Sequence, residues 1–367
     1  MCVIAGYTGS RRAAPILVEM LKRVEYFDGG LAAGIATIHE GKLYSVKVVG
    51  TVDDLVKNTD ALEFPGTCGI IHTRPAGGRA SHAHPFVDES GEFAFCENGT
   101  YFQVAAPAYK KDAEGILREL YEKGVTFTSA VGAPGDKWDD YHVLLPNGQT
   151  IHNAETYAQA IGHAMRDVPA DALADALAEK TAEMQSRLPS ELVTLSVHAR
   201  LPGTITVGRI TRSMAAASRG GETYLCTTPM GFPEEVQSWP ITFLPPVTVT
   251  QATPRGVTIT GIPIKGVRVE QGDARAESLV RAHLERLLAD REHPHSLYEM
   301  EAGDLGLWHE PMIDCDIVSP VGVVKETAAV VYRVLWSFYR EGRLRWVLGP
   351  HGNLTMMKFW LEQAPRS

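Results

Sequence analysis

The chain has 367 residues, enough for one large domain or two with separate cores, and an ordinary apolar share of 44%. Its 35 basic against 44 acidic side chains leave a formal charge of −9, which argues against a general nucleic-acid binder, since that function needs a basic surface to displace counterions. No apolar run approaches the ~20 residues of a membrane span and no signal-peptide pattern opens the chain, so a cytoplasmic protein without nucleic-acid or membrane partners is expected.

The chain opens on Met1-Cys2-Val3-Ile4-Ala5-Gly6. Methionine is trimmed before a small second residue, which would leave Cys2 at the mature N-terminus. Such a cysteine carries a thiol nucleophile and an α-amine of reference pKa ~7.7–8.0 that accepts the thiol proton. Val3 to Ala5 reads as a short buried strand that holds this terminus rigid. Ser10 is the expected cap of a helix whose stripe is Ile16, Leu17, Met20, Leu21 and Val24. Leu31 to His39 and Leu43 to Val49 form a hairpin about Glu40-Gly41-Lys42. Cys68 to Thr73 is a strand running into the polar loop Arg74 to Pro85, and Phe93 to Cys96 is a strand ending at Glu97-Asn98-Gly99. Both polar segments begin where a buried strand stops, the usual place for a scaffold to present chemistry.

A helix is expected over 112–124 and an insertion over 130–153, with Asp136, Trp138 and a hairpin at Pro146-Asn147-Gly148. Helices follow at 154–165 and 170–188, then a β-meander over 193–198, 204–211, 223–227, 241–243 and 257–262, rich in Val, Ile and Thr. Strands, helices and strands again suggest an α+β chain of sheets between helical layers. From residue 266 the chain reads as a smaller C-terminal α/β extension, mostly helical, with helices over 273–291 and 321–340 and a hairpin arm beginning at Gly342. The cysteines Cys2, Cys68, Cys96, Cys226 and Cys315 are odd in number and scattered, so they make neither a disulfide framework nor a zinc set. His72, His82 and His84 are unevenly spaced on a loop without a paired carboxylate, so neither metal nor cofactor is called for.

With Cys2, His72-Thr73-Arg74, Ala83-His84-Pro85 and Asn98-Gly99 in order, the chain resembles the class II glutamine amidotransferases, and in particular the glutaminase domain of glucosamine-phosphate synthase. The resemblance runs over roughly residues 2–265, including Ala33-Gly34-Ile35-Ala36. It implies a four-layer αββα N-terminal-nucleophile hydrolase sandwich. It also implies hydrolysis of the glutamine side-chain amide through a thioester, with Cys2 as nucleophile and base and with Asn98 and Gly99 as oxyanion donors. Arg74, whose planar fork suits a carboxylate, then grips the substrate α-carboxylate. His72 is the second substrate-binding candidate, with loop orientation as its other reading.

Several positions depart from the family's pattern. Val3 and Pro75 replace its glycine and tryptophan, Ala76-Gly77-Gly78 stand where glutamine contacts are expected, and Asp28 to Ala32 lack its arginine. The acid that meets the α-ammonium falls on Asn153, which makes Glu155 the nearest carboxylate and the third binding candidate, with Asp136 behind it. Roughly 100 residues after Val267 are too few for the family's sugar-isomerase domains. The implied ammonia acceptor therefore sits on a partner synthase subunit or another copy of the chain. An N-terminal-cysteine amidase for another linear amide and a non-catalytic regulatory protein on the same scaffold remain as alternatives.

Overall fold

The computed structural model describes residues 2–75, 79–100, 107–132, 142–269, 274–301, 316–319, 322–325 and 327–362. Residues 76–78 of the expected binding loop, Asp136 and Trp138 of the expected insertion, and Cys315 lie outside the described residues.

Strand β1 (Val3–Thr8) is buried along its length, because Val3, Ala5 and Tyr7 face one apolar layer and Ile4 the other. A Cβ at Gly6 would stand 3.1 Å from Ile205 across the second layer. Helix α1 (Ala13–Val24) lays Leu17, Met20, Leu21 and Val24 on this strand, each such burial being worth roughly 1.5–3 kcal/mol. Ser10 does not cap it: the capping position is Arg12, and no side chain fills the role. The expected hairpin forms from β2 (Ala32–His39) and β3 (Lys42–Val49), its turn taking positive φ at Glu40 and Gly41, as a two-residue hairpin turn requires. Helix α2 (Val52–Asn58) was not expected. A capping box between Thr51 and Asp54 starts it. Strand β4 (Cys68–Arg74) then inserts between β1 and β2.

The chain continues through β5 (Phe86–Val87), β6 (Phe93–Thr100), α3 (Pro107–Glu122) and the hairpin of β7 (His142–Leu144) and β8 (Thr150–His152), to α4 (Asn153–Met165) and α5 (Leu173–Arg187). The expected single meander divides instead. Strands β9 (Glu191–His198), β10 (Ile205–Arg209), β11 (Ala215–Arg219) and β12 (Glu222–Cys226), helix α6 (Glu234–Gln237), and β13 (Ile241–Phe243), β14 (Thr248–Thr253) and β15 (Gly256–Ile259) serve two sheets. One sheet runs β13-β11-β12-β1-β4-β2-β3 and the other β15-β14-β10-β9-β6-β5. Ile4, Ile70 and Leu225 of the first meet Cys96, Leu195 and Val207 of the second in a shared core. Helix α1 covers the outer face of the first sheet, and α3, α4 and α5 cover that of the second. This gives the expected four layers, helix, sheet, sheet, helix.

Beyond them come β16 (Arg268–Val269), α7 (Ala274–Leu287), β17 (His295–Ser296), α8 (Leu297–Glu301), β18 (Asp316–Ser319), β19 (Gly322–Lys325), α9 (Thr327–Arg340), β20 (Leu344–His351) and β21 (Leu354–Leu361). The extension is thus not mostly helical: β19 occupies part of the expected helix, which starts at Thr327. Nor does it keep a core of its own, for Phe27 at the end of α1 packs on Tyr332 and Phe359 with ring centroids 6.0 and 5.0 Å away. Among the described residues no helix is long and apolar enough to cross a membrane.

Candidate active site

Sheet stacking brings the start of β1 to the end of β6. The backbone nitrogen of Cys2 donates to Asn98 Oδ1 at 3.0 Å. With Met1 attached that nitrogen is an amide, and it stands in for the α-amine that trimming would create. Asn98 is buried, and its Nδ2 finds no acceptor among the described residues. A buried amide donor left open beside a nucleophile is the arrangement an oxyanion needs. At Gly99 a Cβ would lie 2.6 Å from the Glu191 carbonyl oxygen and 2.9 Å from Leu192 Cβ, so the absence of a side chain is demanded by the neighbouring β9 strand. Burial pushes the Cys2 thiol up to about 11, against the opposing pull of the N-terminal charge and Arg74, with Asp28 and Glu97 raising it further. A thiol held there keeps its proton at neutral pH, so attack requires a base in contact with it.

Arg74, at the end of β4, is anchored through Nη1 to the His82 carbonyl oxygen at 2.6 Å. Its Nε is buried without a partner among the described residues, which leaves the side of the fork that grips a carboxylate unoccupied. His72 and Glu155, the other expected substrate-binding residues, are both bonded within the fold. His72 is fully buried, its Nε2 lies 3.1 Å from the Glu97 carbonyl oxygen, and its ring stacks on His84 at 4.1 Å between centroids. Burial holds both imidazoles well below their usual range, so they stay neutral. These contacts fasten β4 to β6. The Glu155 carboxylate accepts from Thr128 N at 2.6 Å, Thr128 Oγ1 and Ser129 N at 2.8 Å, and Ser129 Oγ. Fully buried in the first turn of α4, it pins the segment before the insertion. Asn153 is equally buried and donates to Tyr109 Oη at 2.6 Å.

Several site residues were not singled out from the sequence. Glu97, Asp28 and His152 are buried around the Cys2 end of the sheets, and Lys47 Nζ holds the Ala83 carbonyl oxygen at 2.8 Å. A signal existed for Glu97: an acid closing the apolar run Phe93 to Cys96, next to Asn98. Oxygen and nitrogen atoms of His84, Glu97 and His152 lie within 4.8 Å of one another, a ligand set in composition. The hydrogen bonds oppose that use. His84 Nδ1 accepts from Glu97 N at 3.3 Å. His152 faces Ala154 N at 3.2 Å with Nδ1 and Arg74 Nη1 at 3.1 Å with Nε2, and a neutral imidazole has a single lone pair to offer them. Neither ring has a lone pair to spare for a cation.

No protein-family model matches the chain. In sequence it is similar to glutamine–fructose-6-phosphate aminotransferase [isomerizing] of Pyrococcus horikoshii, 40% identical over 132 residues, which is 35% of this chain and 20% of that protein. The corresponding enzyme of Aquifex aeolicus is 43% identical over 132 residues, 35% of this chain and 21% of the relative. The chain therefore spans about a fifth of the length of these curated relatives. In structure it is similar to the glutamine phosphoribosylpyrophosphate amidotransferase of B. subtilis, solved with ADP and GMP, with a TM-score of 0.53 and 16% identity over 78% of this chain and 58% of that one. That likeness shows a shared α+β fold of stacked sheets between helical layers, and the sequence matches carry the resemblance to the glutaminase part of class II glutamine amidotransferases.

Proposed function

We propose that this chain hydrolyses the side-chain amide of glutamine with Cys2, once Met1 is removed, as an N-terminal nucleophile, and that it releases ammonia for an acceptor bound elsewhere. The observation that carries this reading is the contact of the Cys2 nitrogen with Asn98 Oδ1, beside an Asn98 Nδ2 that is buried without an acceptor among the described residues. In the reaction the sulfur attacks the amide carbon while the α-amine takes the thiol proton. Asn98 Nδ2 and the Gly99 N–H stabilise the oxyanion, and the resulting ammonium gives its proton to the departing nitrogen as the C–N bond breaks. Water, activated by the same amine, then cleaves the thioester to glutamate and restores the thiol. Arg74 holds the α-carboxylate through its free Nε side.

The named relatives aminate fructose 6-phosphate, and this chain matches only a fifth of them. We accordingly place the acceptor on a partner chain docked against residues 266–367, with 2–265 as the glutaminase unit. The test is intact mass and peptide mapping after incubation with the glutamine analogue 6-diazo-5-oxonorleucine. One adduct on a processed Cys2, absent in Cys2→Ala, is the expected result. A processed but unmodified Cys2 would turn the reading toward another amide, and a retained Met1 toward a non-catalytic scaffold.

A further inference from the structure

Hydrolysis at Cys2 leaves one requirement of glutamine unmet. Its ammonium and carboxylate share one carbon, so the acid that meets the ammonium must stand beside the guanidinium that meets the carboxylate. Glu155 cannot serve, since both its oxygens are taken by Thr128 and Ser129. Position 153 holds an amide whose Nδ2 donates to Tyr109 and whose Oδ1 finds no partner among the described residues, but it brings no negative charge to meet an ammonium.

Glu97 meets the geometric conditions. It is 2% exposed, and its Oε2 is buried without a partner among the described residues. A carboxylate oxygen lies within 4.8 Å of ring nitrogens of His84 and His152, and His152 Nε2 is 3.1 Å from Arg74 Nη1. The backbone of Glu97 is fixed on both sides, its N–H by His84 Nδ1 at 3.3 Å and its carbonyl by His72 Nε2 at 3.1 Å. The next residue, Asn98, holds the Cys2 nitrogen. A buried carboxylate with an open oxygen is costly unless something supplies the missing donor.

We infer that Glu97 is the specificity-determining residue of this site, receiving the α-ammonium of the substrate while Arg74 receives its carboxylate. The assignment rests on the reading of Cys2 as a glutamine-amide nucleophile and narrows the substrate class to α-amino acid amides. In the free protein burial raises the Glu97 carboxyl to about 8, with Arg74 opposing, so it is mostly protonated at pH 7. An arriving ammonium favours the ionised form, and binding therefore expels close to one proton.

The experiment measures ammonia release from L-glutamine and from 4-carbamoylbutanoate, which keeps the amide and the carboxylate and lacks the ammonium. The near-isosteric Glu97→Gln is expected to raise KM for L-glutamine about a hundredfold, with kcat within a few-fold, and to leave KM for 4-carbamoylbutanoate within about threefold. An unchanged KM for L-glutamine in that variant would overturn the assignment and move the ammonium to another acid, Asp28 first. Equal use of both amides by the unsubstituted protein would overturn it too, with the nucleophile untouched. Inactivity toward both, with no adduct on Cys2, is the separate failure of the hydrolase reading and takes the Glu97 assignment with it. A second readout does not depend on turnover. Titration of Cys2→Ala with L-glutamine at pH 7, in buffers of different ionisation heat, should release about one proton more than the same titration of Cys2→Ala/Glu97→Gln. No difference between the two would refute the contact.

Discussion

Removing the Glu155 carboxylate separates a structural pin from a substrate ligand. In Glu155→Ala the donors of Thr128, an exposed residue, can turn to water, so their loss costs little. Those of Ser129 cannot. That residue is fully buried, and its N–H and hydroxyl both end on Glu155 Oε2. Each orphaned buried donor costs about 1–3 kcal/mol, so with two of them the variant should lose roughly 2–6 kcal/mol. Glu155→Gln keeps one acceptor oxygen but puts an NH2 against donors, and should lose about half as much. The assay is urea denaturation of the three proteins beside glutamine kinetics well below their transitions. KM should stay within about threefold in whatever fraction remains folded. Unchanged stability with a tenfold rise in KM would refute the reasoning and return Glu155 to the substrate.

Three further outcomes are expected. Asn98→Ala should lower kcat by roughly 10²–10³ with a smaller change in KM, as for an oxyanion donor; an unaltered kcat would assign that role elsewhere. Gly99→Ala pushes a methyl to 2.6 Å from the Glu191 carbonyl oxygen and should cost about 1–3 kcal/mol in thermal or urea unfolding, so a melting curve identical to the parent would show that β9 gives way. Glu97 is raised from 4.5 to about 8 by burial, so the unfolded chain ionises first. Its contribution is intact below pH ~4.5 and is lost as pH rises toward ~8, by at most about 5 kcal/mol at 1.36 kcal/mol per unit. Glu97→Gln should be the more stable protein at pH 9 and no better at pH 4.5, and the two pH profiles without substrate check this.

The placement of the candidate residues was legible because they stand at strand ends. Cys2 before an apolar triplet, Arg74 after Cys68 to Thr73 and Asn98 after Phe93 to Cys96 are each a polar group where a buried strand stops, and stacking the sheets brings the Cys2 and Asn98 ends together. The partition of the later strands was not legible. Strands such as Glu191–His198 and Glu222–Cys226 are buried on both faces or nearly so, and a strand without alternation carries no mark of the sheet it joins. Cap placement failed at Ser10 because the first turn of α1 is fastened by backbone instead, Ala13 N donating to the Gly66 carbonyl oxygen at 2.9 Å. The C-terminal strands were hidden because apolar runs such as Val321 to Val324 fit a helix period as well as a strand.

Roles among the buried acids were the least legible of all, since sequence order aligns a carboxylate with a position but does not say what its oxygens are bonded to. Glu25 and Glu155 are both at helix starts in bonding terms: Glu25 Oε1 accepts from Val52 N at 2.7 Å and ties the end of α1 to α2, and Glu155 ties α4 to Ser129. Their fields are answered within the fold. Glu97 differs in having an oxygen without a partner among the described residues, beside an arginine whose Nε likewise has none there. A guanidinium and a carboxyl that ionises when an ammonium arrives, each lacking one partner among the described residues, match a zwitterion better than a lone charge, because either charge alone would leave the other group unsatisfied. A substrate carrying only a carboxylate should therefore bind this site worse than one that also brings an ammonium, and the margin between them measures how much of the specificity resides in Glu97.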